Sequence, residues 1–310
     1  MLKSILAIVA VTAALPAAAA PVYVALGDSI TRGETDLFYA PSYSDQGYVA
    51  KVADKLAATN GGVRPQVVNL AIDGETASSF LTATGRTPPV VGRTDVPLAL
   101  ENLNYAGRPT TSQADLFTQN AASIAAAGNT ISTISITLGF NELGAIATMP
   151  DAFKLLNATL ATYKATEQGN LLYIEGVAPG AKLYLVNYYN PFPADPTNPA
   201  AKFFALAGPR LDAIIKGLAA EFHAYSVDTA TPFKGHEAQY TYLAAQPHGF
   251  YRDGPYPGVE PIGNVHPNDL GYSVIAAQFA SATIPAPEPA MVALFGLGAM
   301  GLALVKRRHA

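Results

Sequence analysis

The sequence predicts a three-layer α/β/α domain built on a central parallel sheet. Three observations carry that expectation. Short apolar runs rich in β-branched and aromatic residues alternate along the chain with longer helix-like stretches. About 265 residues lie between two address-like termini, enough for one sizeable α/β core and short for two. The polar residues able to do chemistry fall just after predicted strands, where open α/β sheets present their reactive groups.

In chain order, strands are expected at Val22–Leu26, Gln66–Leu70, Ile131–Leu138, Lys182–Val186 and Ala224–Val227. Each is short and mostly apolar, as strands covered on both faces are. Helices are expected at Tyr48–Thr59, Ser112–Ala127, Asp151–Glu167, Ala200–His223 and Asp269–Ala282. Ser112 and Asp151 stand where N-caps belong, their side-chain oxygens able to accept orphan N–H groups of a first turn. Strand–helix–strand order repeated in this way implies right-handed crossovers. Residues 76–111, rich in Thr, Pro, Gly and Arg, and 239–265, rich in Pro, Tyr and Gly, carry no such periodicity. Long irregular stretches in a compact domain are usually functional, and both are expected to wall a substrate cleft. Tyr240, Tyr242, Phe250, Tyr251 and Tyr256 would offer it aromatic faces suited to a sugar or an acyl chain.

The two ends read as addresses. Residues 1–20 form a signal peptide, with Lys3 ahead of the apolar Ile5–Leu15 and small residues from Ala17 to Ala20. A domain over 21–283 follows, and 284–310 form a tail. That tail has a proline-stiffened spacer, Ile284-Pro-Ala-Pro-Glu-Pro289, then an apolar run from Ala290 to Val305 and the basic Lys306-Arg307-Arg308. The run gives roughly 24 Å of helix at about 1.5 Å per residue, a marginal span of a roughly 30 Å hydrocarbon core. The basic cluster would hold its end on the cytoplasmic side. A net charge of −4 without any Lys/Arg-rich run outside the tail speaks against a nucleic-acid partner. With no cysteine, disulfides, thiolate metal sites and a cysteine nucleophile are excluded. No metal-ligand cluster or phosphate-binding glycine loop is visible, so neither metal nor cofactor is expected.

Four separated segments carry the candidate chemistry. Gly27-Asp28-Ser29 ends the first strand, and Asn69-Leu-Ala-Ile-Asp-Gly-Glu-Thr76 follows the second. Ile136-Thr-Leu-Gly-Phe-Asn-Glu-Leu-Gly144 closes the third, and His266-Pro-Asn-Asp-Leu-Gly-Tyr272 opens the last helix. Acyl transfer by a serine needs a nucleophile, a base and donors for the oxyanion, and these segments supply one candidate for each role. Singly each also fits a turn or a helix cap. In this order and spacing they resemble the blocks of the GDSL/SGNH hydrolase family over about Val22 to Ala282. The absence of a Gly-x-Ser-x-Gly elbow speaks against the α/β-hydrolase fold instead.

The resemblance implies an SGNH, flavodoxin-like fold and a serine ester hydrolase. It assigns Ser29 as nucleophile and His266 as general base, with the Ser29 N–H, the Gly74 N–H and the Asn141 side-chain amide as the oxyanion hole. Glu142 stands where the family usually has Asp. A larger departure is Gly263, which occupies the position of the acid that usually orients the histidine; Asn264 comes next, with Glu260 and Asp253 further upstream. Three outcomes stay open: a dyad with His266 oriented by a backbone carbonyl near Gly263 or Asn264, a displaced acid, or a weakened enzyme. The tail resembles the PEP-CTERM sorting signal of Gram-negative bacteria. It implies processing by an exosortase, transient membrane anchoring, and export to the cell surface or extracellular matrix. The expected partner is an acyl ester, in a lipid or an acylated polysaccharide. The alternative expectation is a matrix structural or binding protein of low activity on a hydrolase-like scaffold.

Overall fold

A computed structural model describes residues 19–33, 47–82, 111–147, 149–192, 198–243 and 265–285. Its centre is a five-stranded parallel sheet in the order β2-β1-β3-β4-β5, formed by β1 (Pro21–Gly27), β2 (Gln66–Asn69), β3 (Thr130–Thr137), β4 (Lys182–Val186) and β5 (Tyr225–Val227). All five expected strands are present, displaced at their ends by one residue at most. Val22 to Leu26 are completely buried, which only a strand covered on both faces can achieve.

Between and after the strands run α1 (Ser29–Arg32), α2 (Gly47–Thr59), α3 (Ala77–Phe80), α4 (Gln113–Ala126), α5 (Phe140–Ala147), α6 (Ala152–Val177), α7 (Pro199–Glu221), α8 (Ala230–Phe233), α9 (Glu237–Tyr240) and α10 (Asp269–Gln278). Helices α2 and α10 pack together over one face, while α4, α6 and α7 pack over the other. Register sorts the two faces. Tyr23, Ser135, Tyr184 and Tyr225 line the α2/α10 side, where Tyr48 and Tyr184 each lie against Phe279. Val24, Leu26, Ile134, Ile136, Leu183 and Leu185 alternate to the other side.

Helix ends depart from the sequence reading where side chains override local signals. Ser112 caps α4, accepting the Asp115 N–H at 3.0 Å. Asp151 precedes α6 but makes no capping bond, and its carboxylate pairs with Lys154 at 2.7 Å. Helix α6 runs ten residues past the expected stop at Glu167, through Gly169 and Asn170, because the Asn170 side chain is buried and bonded instead of capping. Within the stretch expected to be irregular, Thr76 and Ser79 close a capping box and form α3. Helix α10 ends four residues short of the expected Ala282, and Thr283 then pairs with Ser226 beside β5. Residues 83–110 and 244–264 of the two expected cleft walls lie outside the described residues, as do the signal segment 1–18 and the tail from 286.

This strand order places β1 between β2 and β3, so the chain leaves β1 towards one side and returns on the other. Such a switch point opens a crevice at the C-terminal strand ends. The last helix is docked there by a close approach: a Cβ on Gly271 would lie 2.1 Å from the Tyr240 carbonyl oxygen and 2.9 Å from Pro267 Cβ. Gly271→Ala is expected to cost about 1–3 kcal/mol by overpacking, seen as a Tm lower by about 2–4 °C per kcal/mol in scanning calorimetry. An unchanged Tm would contradict this docking.

Candidate active site

The end of β1 is held from three directions. Gly27 has φ +134°, and a Cβ there would lie 2.5 Å from the Thr137 carbonyl oxygen, so only glycine makes this turn. The Gln113 side chain grips its backbone on both sides, accepting the Gly27 N–H at 2.8 Å and donating to the Gly27 carbonyl at 2.9 Å. That carbonyl also accepts the Ile72 N–H at 2.9 Å, tying the loop after β2 to the same residue. Asp28 then caps α1, accepting the Ile30 N–H at 3.0 Å and the Tyr188 hydroxyl at 2.5 Å. Ser29 is thereby the first residue of α1, part-buried at the rim of the sheet.

His266 reaches Ser29 from the other end of the chain, its Nε2 lying 2.9 Å from Ser29 Oγ. Its segment is clamped on every side. The Tyr189 hydroxyl donates to the Val265 carbonyl at 2.8 Å, and the Tyr242 N–H donates to the His266 carbonyl at 3.0 Å. Pro267 bridges Thr241, and the Asn268 side chain donates to the Gln239 carbonyl at 2.7 Å while its oxygen caps α10. Asn268 is thereby the N-cap of α10. Tyr240 packs against Phe233 and His236, while the expected cleft residues Phe250, Tyr251 and Tyr256 lie outside the described residues.

Gly74 and Asn141 meet across the crevice through Glu75. Gly74 is part-buried with φ +69°, and the Asn141 amide donates one hydrogen to the Glu75 carbonyl at 2.8 Å, its second unbonded among the described residues. Gln113 also reaches Glu75, its Nε2 lying 3.4 Å from a carboxylate oxygen. Gln113, Tyr188 and Tyr189 are the residues that sequence reading missed as parts of this site. Gln113 lies in an ordinary helix start with no local signal. Gly263 and Asn264, expected near the histidine, lie outside the described residues. Among the described residues no group of three His, Cys, Asp or Glu side chains is placed to hold a metal ion.

Burial shifts the site's acids and base in opposite directions. It pushes His266 down to about 4, because desolvation penalises the imidazolium. It pushes Asp28 up to about 7, Glu142 to about 8 and Glu167 to about 7. Each of these acids holds its proton in the folded state at a pH where the unfolded chain has released it. Stability therefore falls as pH rises from the ordinary carboxyl range through these folded values. His266 acts oppositely, but only between about 4 and 6.5, so one imidazole opposes three acids there. The Tm is expected to drop from about pH 5 to about pH 8 and then level off; a Tm rising over that interval would contradict the neutral acids.

Residues 25–274 match the model of the GDSL-like lipase/acylhydrolase family, and 285–308 match the PEP-CTERM protein-sorting motif. A search of curated proteins returns no match. Among solved structures, a lipase from a goat rumen metagenome aligns with TM-score 0.52 at 18% identity, covering 86% of this chain and 98% of its own. An acetylxylan esterase from Geobacillus stearothermophilus aligns with TM-score 0.48 at 19% identity, covering 85% and 94%. The first of these shares the fold. Among the described residues no helix is long and apolar enough to cross a membrane. With the family model spanning β1 through α10, this chain belongs to the GDSL-like lipase/acylhydrolase family and is an ester-bond hydrolase that carries a PEP-CTERM sorting motif.

Proposed function

We propose that the protein is an exported serine ester hydrolase in which Ser29 is the nucleophile and His266 its base. The observation that carries this reading is the 2.9 Å contact between His266 Nε2 and Ser29 Oγ, made by residues 237 positions apart. A serine hydroxyl is a poor nucleophile until a base within hydrogen-bond reach takes its proton. As Ser29 Oγ attacks an ester carbonyl, its proton passes to Nε2. The carbonyl oxygen becomes an oxyanion facing the Ser29 N–H, the Gly74 N–H and the free Asn141 amide hydrogen. Collapse expels the alcohol, which takes the proton back from Nε2, and water then repeats the sequence to release the acid. For Nε2 to accept, the resting proton sits on Nδ1.

The sorting motif and the signal-peptide pattern of residues 1–20 support work outside the cell, at the surface or in the matrix. Acyl groups on lipid or on extracellular polysaccharide are the substrates such a location offers. Residues 21–283 would form the mature catalytic domain.

Hydrolysis of an ester panel, from p-nitrophenyl acetate to long-chain esters and acetylated polysaccharide, tests the reading. Ser29→Ala is expected to abolish turnover on every ester the wild type accepts. Asn141→Ala is expected to lower kcat by about 10²–10³ with KM little changed. Equal activity of Ser29→Ala and wild type would sink the proposal and favour a binding role for the scaffold.

Because burial holds His266 at about 4, the base stays neutral in mildly acidic solution. The acidic limb of kcat/KM is expected near pH 4, well below the ordinary imidazole value of about 6.5. A limb found between pH 6 and 7 would contradict a desolvated base.

A further inference from the structure

The loop that carries Gly74 is gripped at Ala77 by two helices. Glu142 Oε1 accepts the Ala77 N–H at 2.6 Å, and Asn170 Nδ2 donates to the Ala77 carbonyl at 2.9 Å. Asn170 Nδ2 also donates to Glu167 Oε2 at 2.9 Å, so α5 and α6 hold both backbone groups of one residue through a single polar cluster. Two residues earlier, the Glu75 carbonyl takes the Asn141 amide. Gly74 and Asn141, the two donors contributed from outside α1, are therefore spaced by bonds from Asn141, Glu142 and Asn170.

This cluster is short of hydrogens. Glu142 Oε2 and Asn170 Oδ1 are both buried acceptors without a hydrogen-bond partner among the described residues. An ionised Glu142 would leave a buried charge on an unbonded oxygen, and protonation both removes that charge and supplies a donor. Among the described residues, the ionisable groups facing it are Glu167 and Tyr163 on α6, Asp28 ahead of α1 and Tyr188 beyond β4. None of them is a cation.

We propose that Glu142 works as a neutral carboxylic acid that positions the oxyanion loop against Asn141, and that its ionisation turns the site off at alkaline pH. This rests on the reading of Gly74 and Asn141 as oxyanion donors. Burial first, and repulsion from Glu167 second among the forces that raise it, push the Glu142 carboxyl up to about 8. A carboxylate formed there stands one residue from the amide meant to stabilise a negative oxygen. In a medium of low dielectric it opposes the developing charge directly.

The test is kcat/KM for p-nitrophenyl acetate at 25 °C from about pH 6.5 to about pH 10, with spontaneous hydrolysis subtracted and each protein normalised to its own value at about pH 7. Wild type is expected to lose about tenfold per pH unit above about pH 8. Glu142→Gln, neutral and isosteric, is expected to lose this limb. Glu167→Gln is expected to move it to lower pH, because a neighbouring negative charge that resisted ionisation is gone. A brace that merely stabilised the fold would move Tm and leave the limb in place. The inference is overturned by an alkaline limb that persists in Glu142→Gln, by its absence from wild type, or by a limb that Glu167→Gln leaves where it was. Should Glu142→Gln fail to fold, the wild-type limb and its shift in Glu167→Gln decide the matter. An active Ser29→Ala enzyme would remove the catalytic reading itself. An inactive one beside an unchanged limb in Glu142→Gln would remove only this inference.

Discussion

Gly27 is the point on which the site depends. Its missing side chain lets β1 close against the Thr137 carbonyl, and its two backbone groups carry bonds from Gln113 and the loop after β2. One residue thus registers the turn that carries Ser29 with the ends of β2 and β3. Any side chain would collide with the β3 backbone and push the turn, with Ser29 behind it, out of register. Geometry at a reactive centre tolerates little displacement, since a misplacement of about 1 Å can cost roughly 10²-fold in rate.

The histidine arm is positioned by different means. It comes from a loop and the start of α10, so no strand supports it. Consecutive tyrosines beyond β4 hold the two halves of the site. Tyr188 bonds the cap of α1, and Tyr189 bonds the residue before His266. Both side chains are almost wholly buried, and the Tyr189 ring stacks on Phe233 with centroids 4.1 Å apart. Behind them Asn187 bonds Asp212, Asp228 and Thr229, anchoring the tyrosines to α7 and to the end of β5. The separation between Ser29 and His266 is therefore set through rigid aromatic rings attached to the sheet, which suits a contact between distant parts of the chain.

The strands were legible because strands covered on both faces are short and mostly apolar, even where β3 sets Thr133 and Ser135 beside Ile134 and Ile136. Ser29, Gly74, Asn141 and His266 were legible as family-like segments at strand and helix ends. The supporting residues were not. Gln113 bonds a glycine 86 positions away, and nothing in the local pattern of α4 distinguishes it from any polar helix start. Asn170 runs against its local composition: beside Gly169 it resembles a helix stop, yet its amide satisfies buried groups on α3 and α6 and the helix continues. Local propensity was overridden wherever a buried polar group needed a partner, since leaving one unmet costs about 1–3 kcal/mol.

Burial does two things at once in this site. Removing water from the crevice lowers His266 and raises Asp28, Glu142 and Glu167, because every charged form loses hydration while the neutral forms lose little. His266 and these three acids consequently share a range, from about 4 to about 7, in which all four are neutral. Within it these four groups add no charge of their own ahead of the oxyanion that the proposed reaction creates. A site crowded with ionised carboxylates would repel an oxyanion before any amide could stabilise it. In the proposed mechanism, holding those carboxyls protonated favours the Ser29 and Gly74 N–H groups and the Asn141 amide, and the same dry interior that neutralises the acids strengthens each donor's interaction with the transition state.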